Sequence, residues 1–258
     1  MSTRALCSAV VLAFLALTLL AVPARAAGGP TGGAGSQYLF NDSLGGTANR
    51  VFTFGDPGDV TYTGDWDGDG ADTPLIRRGN TFFLRNSNTT GTADAVFSYG
   101  DRGDVVLVGD WDGDGRDTLA VRRGGTYFLK NSVTTGAADA VIGYGDPGDV
   151  VLAGDWDGDG TDTLAVRRGG SYFLTNAIAT GVADTVIGYG DPGDVVLVGD
   201  WDGNGASSLG VRRGGTYFVR NSLSSGNADV VFGYGNPDDT AFVGDWDGDG
   251  IDGVGVRR

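Results

Sequence analysis

The heptapeptide Gly-Asp-Trp-Asp-Gly-Asp-Gly begins at Gly64, Gly109, Gly154 and Gly244, and a variant with Asn204 in the sixth place begins at Gly199. The spacing between neighbouring copies is 45 residues every time, without insertion or deletion. A period of this length means a solenoid, a propeller or an array, because one unit alone cannot bury its apolar face. Residues 127–171 and 172–216 are identical at 32 of 45 positions, so the copies are close relatives. Five units, 37–81, 82–126, 127–171, 172–216 and 217–258, fill nearly everything after residue 36.

Each unit reads as four short strands. In residues 127–171 and their flanks these are TYFLKN, ADAVIGYG, DVVLAGDW and TLAVRRG, separated by Gly, Asn and Asp clusters. Composition agrees: there are 48 Gly, all 33 acidic residues are Asp, and Lys130 is the one lysine. A mainly helical chain would use Glu and Lys on its helix surfaces, whereas Asp and Gly favour turns. Four strands per unit in meander order make the blade of a propeller. The expected fold is therefore all-β, a five-bladed β-propeller of 45-residue four-stranded repeats. A β-helix is the rival, but its coils are shorter and the GGxGxDx nonapeptide is missing. The chain enters at QYLFND and leaves at GVGVRR, so the ring either closes as five sequential blades or shares a blade between its ends. Sequence alone leaves that phase open.

Residues 1–26 read as a secretory signal: Arg4 opens it, Ala9 to Val22 is almost wholly apolar, and Ala24-Arg25-Ala26 suits a signal peptidase. About fourteen apolar residues fall short of the roughly twenty a spanning helix needs, so membrane insertion is not expected. Residues 27–36, AGGPTGGAGS, have nothing to bury and read as a flexible linker. The expected product is secreted, extracellular and monomeric. Arg4 and Arg25 leave with the signal, so 16 basic residues face 33 Asp and the formal charge is −17. Such a charge repels nucleic acid and anionic lipid and attracts cations. The chain has no His, and its one Cys, Cys7, leaves with the signal. Imidazole or thiolate catalysis and disulfide bridging are thereby excluded.

The loop Asp65-Trp66-Asp67-Gly68-Asp69-Gly70 and its copies carry the chemistry. Carboxylates at positions 1, 3 and 5 with Gly at 6 match the opening of an EF-hand calcium loop. Position 12 is Ile76 or Val in an apolar strand instead of Glu, so the setting is β rather than helical. The alternative is a soluble Asp-Gly hairpin. Against it stands repulsion: each carboxylate pair at ~5 Å in water costs about 0.8 kcal/mol, and a divalent cation removes that cost. Magnesium fits less well, since it keeps its water and wants a rigid octahedron.

GDWDGDGRDTLAVRR resembles the FG-GAP and VCBS repeats of integrin-α-type β-propellers, whose calcium loop follows DxDxDGxxD. The resemblance spans all five units. It implies a calcium ion in each blade, up to five in all, and adhesion or glycan binding. Carried over residue by residue, the ligands are Asp65, Asp67 and Asp69; Asp110, Asp112 and Asp114; Asp155, Asp157 and Asp159; Asp200, Asp202 and Asn204; and Asp245, Asp247 and Asp249. The family's ninth position holds Thr73, Thr118, Thr163, Ser208 and Gly253 here. Asp stands one residue earlier, at Asp72, Asp117, Asp162 and Asp252, with Ser207 in the fourth copy. These four Asp complete the candidate metal ligands. Asn204 and Ser207 make the fourth site the weakest expected.

All five Trp, at 66, 111, 156, 201 and 246, hold position 2 of the loops. They either stack on sugars or, the favoured reading, pack between blades. Tyr99, Tyr144, Tyr189 and Tyr234, with Phe54, read as core. Arginine pairs end each unit, from Arg77-Arg78 to Arg257-Arg258. Alternation puts one Arg of each pair on the apolar face, where an Asp brace is expected, with an anion-binding ring as the alternative. The function expected is a binding or adhesion module for a glycan or a cell-surface partner. A purely structural extracellular module is the alternative. A glycan-active enzyme is disfavoured, because catalytic residues occur once and nearly every Asp belongs to the repeat.

Overall fold

The computed structural model describes residues 31–32 and 35–258. The expected signal peptide and most of the expected linker lie outside the described residues. Strands alone make up the ordered elements, in five four-stranded antiparallel sheets arranged as a β-propeller. The first complete blade runs Val60–Gly64, Thr73–Arg78, Thr81–Leu84 and Ala95–Ser98. The next three follow at the repeat spacing, ending at Gly143, Gly188 and Gly233. First strands line the axis: Val60–Gly64, Val105–Gly109, Val150–Gly154, Val195–Gly199 and Thr240–Gly244 touch one another around a closed ring.

The phase that the sequence leaves open is resolved by the fifth blade. Its inner strands are Thr240–Gly244 and Gly253–Arg257, and its outer strands are Gln37–Asn41 and Arg50–Thr53 from the other end of the chain. Tyr38 pairs with Arg257 as Phe82 pairs with Arg77, so the two ends rebuild one ordinary blade. Blade boundaries thus fall within the sequence repeats rather than between them. Thr31–Gly32, inside the segment expected to be a linker, adds a short strand to Val60 and Thr61.

Strand alternation decides which side chains fill the core. In TLAVRR of the third blade every residue but the last is buried, because both faces of this second strand are covered by neighbouring blades. Third strands alternate, with Tyr172 and Leu174 inward. All five Trp are at most 5 % exposed. They belong to the hydrophobic core, and sugar stacking on them is excluded. Tyr99, Tyr144, Tyr189 and Tyr234 are also core, and each hydroxyl donates to a third-strand carbonyl of the next blade, at Phe128, Phe173, Phe218 and Leu39.

The arginine pairs divide their work. The first Arg is buried and bonds backbone carbonyls of the following blade's Asp-Pro turn: Arg167 donates to the carbonyls of Asp194 at 2.9 Å and Asp191 at 2.5 Å. Its guanidinium lies over the Tyr172 ring. The second Arg is half exposed and takes the carboxylates, as Arg168 does with Asp149 (2.7 Å) and Asp146 (2.7 Å). The Asp brace expected for the second Arg of each pair is therefore present, but the buried member is the first Arg, and carbonyl oxygens satisfy it. Bonding to Arg168 holds the Asp149 carboxyl below its ordinary range.

Arg167→Met should cost about 2–4 kcal/mol, since two inter-blade carbonyls lose their donors. Arg168→Gln should cost about 1 kcal/mol, as befits a half-exposed ion pair. Denaturant unfolding of the two variants checks the order. Equal losses would show that the exposed pair carries as much as the buried one.

Candidate metal-binding loops

Each Asp loop joins the first strand of a blade to its second, so all five lie on one face around the axis. Position 1 is buried and positions 3 and 5 are exposed. The curl is built by backbone N–H groups pointing at the first carboxylate. Asp65 Oδ1 accepts from Gly68 (2.7 Å) and Asp69 (3.2 Å), and Oδ2 accepts from Gly70 (2.8 Å). The pattern repeats at Asp110, Asp155, Asp200 and Asp245. Position 6 must be Gly: its φ lies between 84° and 98° in every loop, a region that side chains with a Cβ avoid. Position 5 closes the next turn, Asp69 Oδ1 accepting from Ala71 N–H at 2.9 Å.

This curl brings carboxylate oxygens together. In the loops of Asp65, Asp67 and Asp69; Asp110, Asp112 and Asp114; Asp155, Asp157 and Asp159; and Asp245, Asp247 and Asp249, one oxygen from each residue lies within 4.8 Å of the others. The fourth loop has the same bonds about Asp200, with Asn204 supplying a neutral amide oxygen. Three oxygens at this separation can hold a hard divalent cation, with carbonyls and water filling a calcium shell. Burial and the neighbouring Asp69 and Asp65 push the Asp67 carboxyl up. Asp247 is pushed up in the same way by burial and Asp249. A cation would reverse that shift by favouring the ionised form.

Asp72, Asp117, Asp162 and Asp252 lie outside these triplets and are buried. Each crosses to the preceding blade. Asp117 Oδ2 accepts from the N–H of Asp65 (2.8 Å), Asp162 from Asp110 (2.8 Å), Asp252 from Asp200 (2.7 Å) and Asp72 from Asp245 (3.0 Å). Ser207 takes the same place toward Asp155 at 3.2 Å. The backbone reciprocates, with Asp117 N–H donating to the Asp65 carbonyl at 2.7 Å and its counterparts doing likewise. The result is a clamp between successive candidate metal loops. It needs a Gly at the end of each first strand, because a Cβ on Gly109 would come within 2.9 Å of the Asp162 carboxylate. Burial, with the carboxylate of Asp117 or Asp72 nearby, pushes Asp162 and Asp252 well above the ordinary range.

No family model, no curated protein and no solved structure matches the chain. The loops therefore have to be judged on their oxygens. Asn204 lowers the charge of the fourth triplet from −3 to −2, so its calcium affinity should be the lowest of the five. Calorimetric titration of Asp157→Ala and Asp202→Ala tests this ordering. Loss of the tightest site on removing Asp202 would mean that charge does not set affinity here.

Sequence reasoning missed two features of this site. The clamp joins residues 52 positions apart in four cases and 173 apart in the fifth, always in different blades, which no local motif can display. The self-satisfied first carboxylate was also hidden, although EF-hand-like spacing signals the same curl.

Proposed function

We propose that this chain is a secreted, calcium-stabilised propeller of the FG-GAP/VCBS type that serves as a binding or adhesion module for an extracellular glycan or cell-surface partner. The observation that carries the calcium reading is the convergence of three carboxylates within 4.8 Å in four separate loops. Five-fold display on one face supports a binding role, because repeated weak sites gain avidity on a repetitive partner. Absence of His and the repeat membership of nearly every Asp weigh against catalysis. The test is surface binding by the labelled mature chain. Saturable binding to polysaccharide-coated or cell surfaces in calcium, reduced by chelator, is expected. No binding, together with self-association, would replace this reading by a purely structural module.

A further inference from the structure

Between the third and fourth strands each blade carries a long loop, and the residue just after the third strand sets how that loop is held. Arg85 donates to the carbonyls of Thr89 and Thr92, both at 2.7 Å. Lys130 donates to Ala137 O at 3.3 Å, Arg220 to Ser224 Oγ at 2.6 Å, and Asn41 to the Gly45 carbonyl. The third blade has Thr175 there instead, and its hydroxyl reaches only across to Asp184, at 3.1 Å. Space under the loop follows. A Cβ on Gly91 would meet the Arg85 guanidinium at 2.5 Å, on Gly136 Lys130 Nζ at 3.3 Å, and on Gly226 Arg220 at 2.9 Å, whereas Gly181 has nothing within 4 Å.

A cleft of about 360 Å³ opens at this point, where the second blade meets the third; its counterpart one blade on measures about 180 Å³. Small-molecule sites span roughly 300–1,000 Å³, a range that only the first of these two reaches. Tyr144, Asp146, Arg168, Phe173, Gly181 and Val182 are among its walls. Arg168 engages its two Asp partners through Nε and Nη2, leaving the Nη1 hydrogens for a ligand. Asp146 meets Arg168 through one oxygen, and Asp184 lacks the cation that Asp94 and Asp139 have in Arg85 and Lys130.

We propose that this cleft binds a hexopyranose without acidic groups, an inference that rests on the binding-module reading above. A hydroxyl is the group that accepts from a guanidinium while donating to a carboxylate, and adjacent ring hydroxyls can do both at once. The half-buried Phe173 ring and Val182, 85 % exposed, offer an apolar side to the carbon-bound hydrogens of the sugar. Asp146, Asp149 and Asp184 outnumber Arg168, so uronic and sialic acids are repelled. Thr175 makes this cleft the larger of the two at this position in the repeat.

The experiment screens the calcium-loaded mature chain against neutral, amino and acidic oligosaccharides and titrates the best ligand by calorimetry. Thr175→Arg rebuilds the brace that Arg220 already provides in the fourth blade, and Gly181→Leu fills the cleft from a position with open space and no strained φ. Both variants should keep the parent's melting temperature and lose at least tenfold in affinity. Arg220→Thr should add a second site. Binding that survives both cleft variants would overturn the site while leaving the binding module standing. Failure to bind any non-acidic sugar, or a preference for acidic ones, would overturn the ligand class. Failure to bind any sugar or any cell surface would remove the module reading as well.

Discussion

Chelation of calcium should lower the melting temperature by well over ten degrees, with recovery on adding calcium and poor recovery with magnesium. Extracellular calcium modules have dissociation constants of about 10⁻⁴–10⁻³ M. At ~1 mM calcium and ~10⁻⁴ M affinity, each loop contributes about 1.4 kcal/mol, or roughly 7 kcal/mol for five. A chain of this size shifts by about 2–4 °C per kcal/mol, which gives roughly 14–28 °C. Repulsion in an empty loop adds less than four free carboxylates would. Backbone N–H groups already cover Asp65, and the loop's fourth carboxylate, Asp72, turns away to the preceding blade. Mass action therefore carries most of the effect. Superimposable melting curves with and without chelator, on protein shown to be metal-free at the start, would reduce the loops to Asp-Gly turns.

The second large effect lies at the closure. Phe40 stacks on Trp246 with ring centroids 3.8 Å apart and edges against Phe52, so it joins the two chain ends inside the fifth blade. Gly255 makes room for it: a Cβ there would lie 2.4 Å from the Phe40 ring. Phe40→Ala should cost about 3–5 kcal/mol, against less than about 0.5 kcal/mol for the exposed Val186→Ala. Because the fifth blade has no covalent continuity between its halves, the loss should also lower cooperativity, seen as a broader transition. A Phe40→Ala curve no different from that of Val186→Ala would mean that the shared blade does not hold the ring.

The sequence made the fold legible because a fixed period, strand-length apolar runs and Asp-Gly turns agree in every copy. Its phase was not legible: both closures use identical local sequence, and only the pairing of Tyr38 with Arg257 distinguishes them. The convergence of each Asp triplet was readable, since its geometry is local. Asp72, Asp117, Asp162 and Asp252 looked like part of the same loops because adjacency in sequence hides their crossing to another blade. Alternation pointed to the second Arg of each pair, on the face of Leu164 and Val166, but both faces of this strand are covered and the first Arg is the buried one. It could not show that the partner is a carbonyl of the next blade's turn. Thr175 stands where three other copies have Arg85, Lys130 and Arg220, but its meaning required the space beside Gly181.

The clamp has a further consequence. Asp65 is a candidate ligand in one loop, and its N–H is held by Asp117 of the next; Asp110 of that loop is held in turn by Asp162. An ion that fixes one loop therefore also fixes the anchor on which its neighbour depends, and the order passes from blade to blade round a circle without ends. Calcium sites linked in this way would fill together, so occupancy should rise with calcium more steeply than independent binding allows, with a Hill coefficient above one. Ser207, with its longer bond and no charge, is the weakest link in that circle. On the calcium reading proposed above, the ions would act less as five separate rivets than as a single hoop drawn tight.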